Sequence, residues 1–341
     1  YSTFVNPGSR KRYIFGINIY TQSLVKHFTI DAIIDDYTDA SHFFGVAIIR
    51  TSEIVHHSVT LVVAAGKPKS ALKQLSQLGL MHLHYFTLLS LTDCKLPHIM
   101  FNNGFIKDYT DNYNQYNNVY HALSDVHSKE SYYRVLAFRF TLDLEYVSCF
   151  DDLQSEQYFE DFVREPSGSV FIDVGSYDGY TSLAYSRRYP EYKRIYAFEP
   201  DPANYTKTLD VLSSLPRTHS RNIGLSNRKS TMYLSQQNSQ SSLSTCGTVS
   251  VGLDSLDNLG IEHVTLIKVD VEGHEEEVLM GAQRTIKRWK PGLAISSYHS
   301  PSQLFKIPQL ALAYNSQYKL FFRHYTESLY ESVFYMIQPP P

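Results

Sequence analysis

Two segments of the chain combine an apolar run with residues that could contact a nucleoside. Residues 170–174 have the length and β-branched content of a buried parallel strand, and residues 175–179 form a glycine-containing turn after it. A second apolar run ends in the acid Glu199. A glycine turn lets backbone approach a ligand, and a carboxylate at the end of the neighbouring strand can accept hydrogen bonds from ribose hydroxyls. The pattern therefore predicts a site for a nucleoside-containing cofactor.

The spacing of the glycines narrows the class of cofactor. The turn lacks the G-x-G-x-x-G pattern of a pyrophosphate-bound dinucleotide, and it suits a smaller ligand, S-adenosylmethionine (SAM). Asp178 could accept a hydrogen bond from the amino group of SAM, and the turn after the third strand is the natural neighbour of its adenine. The predicted cofactor-binding residues are Asp173, Gly175, Ser176, Asp178, Gly179, Glu199, Pro200, Asp201, Asn222, Gly224 and Asp270.

Polar side chains also follow a later apolar strand. That strand ends at Asp270, and Glu272 and His274 come directly after it. Because ligands of open α/β sheets bind outside the carboxyl ends of the strands, we expect these side chains to face the same crevice as the glycine turn and Glu199. Asp270 could orient either the amino group of the cofactor or the acceptor.

Three consecutive acids, Glu275, Glu276 and Glu277, open the helix that follows. The last turn of this helix is basic, so the charges at both ends suit the helix macrodipole. We interpret the acidic run as helix electrostatics and exclude Glu276 and Glu277 from the site.

These segments resemble the motifs of the FkbM family of SAM-dependent O-methyltransferases. The matching motifs are Asp-Val-Gly-x-x-x-Gly at 173–179, Phe-Glu-Pro at 198–200 and Lys-x-Asp-x-Glu-Gly at 268–273. Residues 290–299 resemble the next strand of the family, and residues 318–337 resemble its closing hairpin. Ser176 and Asp178 depart from the alanine and asparagine that family members often carry. The resemblance covers residues 166–341 and implies methyl transfer to a hydroxyl group.

The resemblance and the remaining patterns predict an α/β protein with three parts. Residues 166–341 are expected to form a class I methyltransferase, with a Rossmann-like sheet, helices on both faces and a terminal antiparallel hairpin. Residues 1–100 resemble the smaller Rossmann-like domain that precedes the catalytic domain in some FkbM-type proteins. Residues 101–165 are predicted to be a mainly helical connector, which could wall one side of the active site.

A serine- and glutamine-rich segment, residues 235–242, lies between two strand-like runs, residues 230–234 and 249–253. We expect both runs to belong to the part of the sheet that borders the cofactor. The segment between them is expected to be either a loop tip or a lid that becomes ordered when ligand binds.

Methyl transfer from SAM requires alignment of an acceptor oxygen and removal of its proton. The candidate general bases are His299, Asp270 and His274, since a histidine can accept a proton near neutral pH without unusual tuning. Glu272 and Tyr298 are predicted to contact the substrate. Alternatively, Asp270, Glu272 and His299 could hold one Mg²⁺ that acidifies a hydroxyl, although their spacing has no metal-specific signature.

The resemblance implies a small-molecule or glycan acceptor, with sugars of bacterial surface polysaccharide or related pathways as the expected class. Two alternatives use other chemistry. Gly16 followed by Asp35 imitates a dinucleotide fingerprint without its later glycines, so the first alternative is an NAD-linked or nucleotide-sugar enzyme that uses the N-terminal domain. The second is a non-catalytic SAM-binding scaffold.

Net charge, apolar runs and cysteine number limit the classes of partner and compartment that we expect. The formal net charge is −3, so no strong basic excess favours nucleic acid as a partner. No apolar run approaches the ~20 residues of a membrane span. Cys94, Cys149 and Cys246 are scattered and odd in number, which indicates neither disulfides nor a zinc site. We expect a cytoplasmic enzyme, with the N-terminal domain or the connector available for oligomer contacts.

Overall fold

The computed structural model describes residues 1–64, 66–151, 153–237, 240–244 and 249–339. The chain forms two compact units. The N-terminal unit comprises residues 1–106, 133–152 and 325–330, and the C-terminal unit comprises residues 107–132, 153–324 and 331–341. Among the described residues, no helix combines the length and the apolar character that a membrane crossing needs.

The N-terminal unit is built on a mainly parallel sheet. Within its described residues the strand order is β3-β4-β2-β1-β5-β6, and the β3–β4 pair is antiparallel. Ile14, Ile33 and Leu61 are fully buried on the central strands, as expected for a parallel sheet covered on its faces. The elements are α1 Ser2–Val5, β1 Lys11–Phe15, α2 Ile19–His27, β2 Ala32–Ile34, β3 His42–Phe43, β4 Val46–Ile49, a 3₁₀ turn Thr51–Glu53, β5 Ser58–Val62, α3 Pro68–Gln77, β6 Met81–His84 and α4 Tyr85–Leu91.

In the N-terminal unit, the acid of the dinucleotide-like pair Gly16 and Asp35 forms hydrogen bonds within its own loop. Gly16 follows β1 with φ +103°, and Asp35 follows β2. Oδ1 of Asp35 accepts hydrogen bonds from the backbone N–H groups of Tyr37 and Thr38, both at 2.9 Å. The carboxylate therefore closes its own turn, which weighs against a ribose contact at this strand end.

The predicted connector contains the helices α5 Phe105–Asp111, α6 Tyr113–Ala122 and α7 Val126–Thr141, followed by a 3₁₀ turn, Leu144–Tyr146. The division between the two units falls inside α5 and α7. Residues 153–165 belong to the C-terminal unit. The domain boundaries at residues 100 and 165 stay predictions.

The C-terminal unit contains the sheet that the motifs predicted. Its described strands follow the order β16-β17-β15-β14-β7-β8-β9, all parallel except β17, which is antiparallel to β15 and β16. The α/β fold class and the terminal hairpin are therefore confirmed. The elements of this sheet and its connections are β7 Val170–Val174, α8 Tyr180–Arg188, β8 Arg194–Phe198, α9 Pro202–Leu212, β9 Thr218–Arg221, α10 Leu256–Leu259, β14 Leu266–Val269, α11 Glu275–Gly281, α12 Gln283–Trp289, β15 Gly292–Ser296, α13 Gln303–Tyr314, β16 Lys319–His324 and β17 Ser332–Ile337.

A second, smaller sheet in this unit corrects one expectation. Its described strands are β10 Gly224–Leu225, β11 Ser230–Gln237, β12 Gln240–Ser244 and β13 Val249–Asp254, in the order β10-β13-β11-β12. The runs 230–234 and 249–253 are strands, but they belong to this sheet and not to the large one. In β13 buried residues alternate with exposed ones, which is typical of a sheet with one solvated face.

The serine- and glutamine-rich segment is largely extended. The backbones of β11 and β12 pair antiparallel up to Gln237 and Gln240, so the prediction of a loop tip was wrong for residues 235–237 and 240–242. Residues 238 and 239 lie outside the described residues. The lid stays a prediction.

The helix predicted to follow the acidic run is two helices, α11 and α12, separated at Ala282. Val278, Leu279, Ala282 and Ile286 are buried, as the pattern predicted. A β-carbon on Gly281 would lie 1.9 Å from the carbonyl oxygen of Ser226. The last residue of α11 therefore packs directly against the backbone of Ser226.

The register of the large sheet brings three predicted strand ends to one edge. Val269 of β14 pairs with Val174 of β7, and Val174 pairs with Phe198 of β8. The next residue on each strand is Asp270, Gly175 or Glu199. The sheet therefore places these three residues side by side.

Candidate active site

A cavity of about 680 Å³ opens in the C-terminal unit at the carboxyl ends of β7, β8 and β14. Ten of the residues predicted to form the site line it. They are Gly175, Ser176, Asp178, Glu199, Pro200, Asp201, Gly224, Asp270, Glu272 and Tyr298.

The other predicted residues lie outside the lining of the cavity. Asn222 donates from its side-chain amide to the carbonyl oxygens of Glu199 and Pro200, at 2.8 and 3.0 Å. Gly179 precedes α8 with φ +83°. Nε2 of His274 lies 2.9 Å from Oγ of Ser226, outside the cavity lining. Asp173 and His299 are buried and also lie outside the lining.

Asp173 forms a buried ion pair with Lys268 on the neighbouring strand. Nζ of Lys268 lies 3.1 Å from Oδ1 of Asp173 and donates to the carbonyl oxygen of Gly175 at 2.6 Å. Oδ2 of Asp173 accepts the hydroxyl of Ser182 at 2.7 Å. Burial disfavours the charge of Lys268, but Asp173 and Asp270 outweigh it and hold the pKa of the amine above its usual value. Asp173 thus positions the glycine turn through Lys268.

Gly175 lies where no side chain fits. Its φ is +76°, in the left-handed region that favours glycine, and a β-carbon there would lie 1.8 Å from the carbonyl oxygen of Asp270. The backbone N–H groups of Gly175 and Ser176 donate to the carbonyl oxygen of Phe198. The turn is therefore packed against both neighbouring strand ends.

The carboxylate of Glu199 is fixed by two backbone donors. Oε2 accepts from the N–H of Tyr177 at 2.8 Å, and Oε1 accepts from the N–H of Asp201 at 2.9 Å. Burial raises the pKa of Glu199 to about 7, against the effect of these two hydrogen bonds. Since a carboxyl oxygen has more than one lone pair, both oxygens can accept a further hydrogen bond from a ligand.

Three more carboxyl groups line the cavity: those of Asp270 and Glu272, which follow β14, and that of Glu331. The hydroxyl of Tyr158 donates to Oδ2 of Asp270 at 2.8 Å. Glu331 accepts from Nε2 of Gln157 at 2.8 Å. Burial raises the pKa of Glu331 to about 7, and the nearby Asp270 adds to the rise. The third carboxyl group is that of Glu272, which also faces a histidine.

His299 is buried behind these acids. Its Nε2 lies 3.4 Å from Oε2 of Glu272 and 3.6 Å from Oδ1 of Asp270, and its Nδ1 lies 2.9 Å from Oε1 of Glu275. Burial alone would lower the pKa of His299, but Glu275, followed by Asp270 and Glu272, outweighs burial and raises the pKa to about 9. The imidazole is therefore a buried cation among three acids.

Glu275 contacts residues of the candidate site, and the sequence analysis did not single it out. It is fully buried and accepts hydrogen bonds from the N–H groups of Val271 and Gly273, as well as from Gln303. Burial opposes its charge, but His299 prevails and holds the pKa of Glu275 below its usual value. The acidic run is therefore more than helix electrostatics, because its first residue fixes the loop after β14 and pairs with His299.

Residues 173–318 match the family model of the methyltransferase FkbM domain. The chain contains a methyltransferase FkbM domain. The resemblance that the motifs predicted is thus confirmed, and the FkbM domain contains the glycine turn and the β8 and β14 strand ends of the cavity. Among curated protein sequences, none matches this chain.

One solved structure shares the fold, and two others are similar to a smaller part of the chain. The crystal structure of methyltransferase FkbM from Methylobacillus flagellatus KT superposes with a TM-score of 0.75, at 21% identity, over 97% of this chain and 90% of that chain. Precorrin-6y C5,15-methyltransferase from Geobacter metallireducens GS-15 gives a TM-score of 0.33, at 13% identity, over 52% and 84% of the two chains. Fibrillarin from Aeropyrum pernix, solved with natively bound S-adenosyl-L-methionine, gives 0.35, at 14% identity, over 55% and 72%. The first likeness extends beyond the FkbM domain.

The Mg²⁺ alternative finds no support in the donors of the FkbM domain. Among the described residues, Asp270, Glu275 and His299 bring possible ligand atoms within 4.8 Å of one another. A histidine with its pKa raised to about 9 is protonated at neutral pH, and an imidazolium has no lone pair for a metal. Glu275 already accepts from backbone N–H groups. His299 and Glu275 are already paired with each other, so this donor set does not fit the ion.

Two further lining residues lie outside the sequence motifs. Tyr158 comes from the segment predicted as connector, and Glu331 comes just before β17. The connector was expected as a possible wall of the site, and residues 154–159 contribute to the lining. For Glu331 the sequence carries no comparable signal, because a single acid beside a strand is usually solvated.

Proposed function

We propose that this protein is a SAM-dependent O-methyltransferase that methylates a hydroxyl group of a small molecule or glycan, in polysaccharide or related biosynthesis. One observation carries the proposal. A single cavity joins the glycine turn and Glu199 to the carboxyl groups of Asp270, Glu272 and Glu331. The first part of this lining suits a nucleoside-bearing methyl donor, and the second suits a hydroxyl-bearing acceptor.

The fit to SAM rests on the turn and on Glu199. A β-carbon at Gly175 would fill the space between the turn and Asp270, so the close backbone approach is a built feature. Glu199 keeps lone pairs for ribose hydroxyls while two N–H groups hold it in place. Asp178 lines the same cavity, where its carboxylate would accept from the amino group of SAM. These residues would hold the cofactor.

SAM supplies, when bound, a methyl group already activated by the positive charge on its sulfur. The chain must then align the acceptor oxygen, which is worth up to ~7–11 kcal/mol of barrier, and accept its proton. His274 and His299, two of the predicted bases, lie outside the cavity lining, whereas Asp270 lines it. Proton acceptance therefore belongs to the carboxyl groups of the wall.

The polar wall favours an acceptor with several hydroxyl groups. Asp270 and Glu331 offer carboxylate oxygens, and the side chains of Tyr158 and Tyr298 lie beside them. Sugar hydroxyls can donate to carboxylates and accept from phenols in such a site. This complementarity supports a sugar or glycan acceptor over an apolar one.

A reducing compartment such as the cytoplasm suits the described cysteines. Cys94 and Cys149 are exposed and free. Disulfides form and persist in oxidising compartments, where exposed free thiols are uncommon. We therefore propose that the reaction takes place in the cytoplasm.

The test is transfer of a ¹³C-labelled methyl group from SAM to methyl glycosides of glucose, mannose, rhamnose and fucose, read by NMR as a methyl ether. We expect labelled ether and release of S-adenosylhomocysteine (SAH), both lost in Gly175→Ala. Binding of SAM with no transfer to any hydroxyl acceptor would favour the scaffold alternative. Binding of NAD, with no binding of SAM, would favour the dinucleotide enzyme.

A further inference from the structure

We propose that Glu272 is the catalytic base that accepts the acceptor proton, and that the buried Glu275–His299 pair positions it. This role rests on the proposed function and reassigns the base predicted at His299. Glu272 is the residue whose backbone, surroundings and access to the cavity all suit proton transfer.

The backbone at Glu272 holds an unfavourable conformation. Its φ is +56°, in the left-handed region that a side chain rarely adopts, and Gly273 follows with φ +105°. Such conformations persist where surrounding structure enforces them, and they cluster at functional sites. Here Glu275 enforces the loop, because it accepts from the N–H groups on either side of Glu272, at Val271 and Gly273. The loop thereby holds Glu272 in the cavity wall.

His299 cannot itself reach the acceptor. Its side chain is fully buried and outside the cavity lining, with Glu272 and Asp270 between it and the cavity. Nε2 faces these two acids, while Nδ1 faces Glu275. Its charge therefore acts on the acceptor through the acids, which makes it a positioning residue.

Asp270 and Glu331, which line the same part of the cavity, each accept a hydrogen bond from a neighbouring side chain. Asp270 accepts from the hydroxyl of Tyr158 at 2.8 Å, and Glu331 accepts from Gln157 at 2.8 Å. Among the described residues, the Glu272 carboxylate forms an ion pair with His299, with 3.4 Å between Oε2 and Nε2. Its side chain is 31% exposed, so it can both meet a ligand and pass a proton to water. Compared with Asp270, Glu272 lies nearer to His299, at 3.4 against 3.6 Å, and is more exposed, at 31% against 23%.

The acceptor oxygen forms a bond to the methyl carbon while the bond from that carbon to sulfur breaks, and the electron pair of that bond stays on sulfur, giving SAH. The hydroxyl proton passes to the carboxylate of Glu272. The carboxyl group then returns the proton to solvent.

The environment of Glu272 suits a base that works near neutral pH. Burial raises its pKa to about 7, His299 opposes the rise, and the neighbouring acids add to it. A carboxyl group with this pKa can release and accept a proton at physiological pH. The charged groups that face it are His299, Asp270, Glu275 and Glu331.

The test needs no acceptor. The ¹³C carboxyl resonances of glutamate are titrated in the SAH-loaded protein, and the Glu272 signal is assigned by its absence in Glu272→Gln. We expect ionisation near neutral pH, moving to higher pH in His299→Gln, because that change removes the opposing cation. Ionisation near the ordinary glutamate value, about 4.3, or no response to His299→Gln, overturns the proposal.

Turnover adds a second readout. With the methyl glycoside that the wild-type protein methylates, Glu272→Gln is expected to lower kcat roughly 10²–10⁴-fold and to leave SAH affinity intact. The matched control is Glu276→Gln, since Glu276 pairs with Lys306 and lies outside the cavity lining. Wild-type turnover in Glu272→Gln overturns the assignment of the base while methyl transfer itself stands. Failure of the wild-type protein to bind SAM or SAH contradicts the proposed function instead.

Discussion

Lys268 and Asp173 form an ion pair, 3.1 Å apart, on adjacent strands in the interior of the large sheet. The side chains are 3% and 0% exposed, so each charge depends on the other. Lys268 also donates to the carbonyl oxygen of Gly175, which ties β14 to the turn after β7. The pair links the stability of the sheet to the shape of the cofactor turn.

We expect Lys268→Met to destabilise the protein by about 3–5 kcal/mol, because it leaves the Asp173 carboxylate buried without its cation. Denaturant unfolding measures the loss. The double change Lys268→Met with Asp173→Leu should recover part of it, since both charges are then removed. A Lys268→Met protein as stable as wild type would contradict the buried pair.

Gly175→Ala should abolish binding of SAH, because the new β-carbon would lie 1.8 Å from the carbonyl oxygen of Asp270. Gly168→Ala is the matched control. Gly168 has nearly the same φ, +78° against +76°, but a β-carbon there meets nothing within 4 Å. Calorimetry should show intact SAH binding in Gly168→Ala. Denaturant unfolding of the same variant should show a loss of about 1–2 kcal/mol from backbone strain. Equal binding by both variants would contradict the close approach.

Glu275→Gln should be strongly destabilising, by about 3–5 kcal/mol, because it removes the partner of a buried cation. The same change at Glu276 is expected to cost at most about 1 kcal/mol, since that side chain is partly exposed and its ion pair is with the half-exposed Lys306. ¹⁵N NMR should also show a lower pKa for His299 in Glu275→Gln. Similar unfolding midpoints for the two variants would mean that the buried pair is not formed.

The pH dependence of stability should report on His299. Its pKa is raised from 6.5 to about 9, so its charge stabilises the folded state fully below pH 6.5, and this contribution is lost as the pH rises through about 9. The raised pKa values of Glu199, Glu272 and Glu331 also reduce stability as the pH rises, but chiefly between the ordinary glutamate value and about 7.

Comparison with His299→Gln isolates the histidine. The difference in free energy of unfolding between the wild-type protein and this variant should shrink from pH 6.5 to 9. A difference that is constant across this range would indicate a neutral histidine in the folded protein.

Much of the site followed from local sequence. Apolar runs fixed the strands, and the glycine or acid after each run fixed the strand ends, because parallel strands in register bring their ends to one edge. Gly175, Glu199 and Asp270 meet for this reason. The motifs were also sufficient to predict the FkbM domain.

Other features depended on packing that no local pattern encodes. Glu275, Glu276 and Glu277 are the same residue type, so the sequence cannot distinguish them. Glu275 is the one that contacts His299 and Gln303, because of how α11 packs. Asp173 looked like a ligand contact, yet strand register places Lys268 opposite it. The lone lysine in an apolar strand was the available signal, because a buried amine needs a buried acid.

Calorimetric titration with SAM and SAH tests most directly whether the cavity binds this cofactor. The variant is Glu199→Gln, and the matched control is Glu191→Gln, at an exposed position outside the cavity lining. We expect saturable one-to-one binding of both ligands to the wild-type protein and to Glu191→Gln, and strongly weakened binding to Glu199→Gln. Folded wild-type protein that binds neither ligand would contradict the assignment of the cavity to SAM.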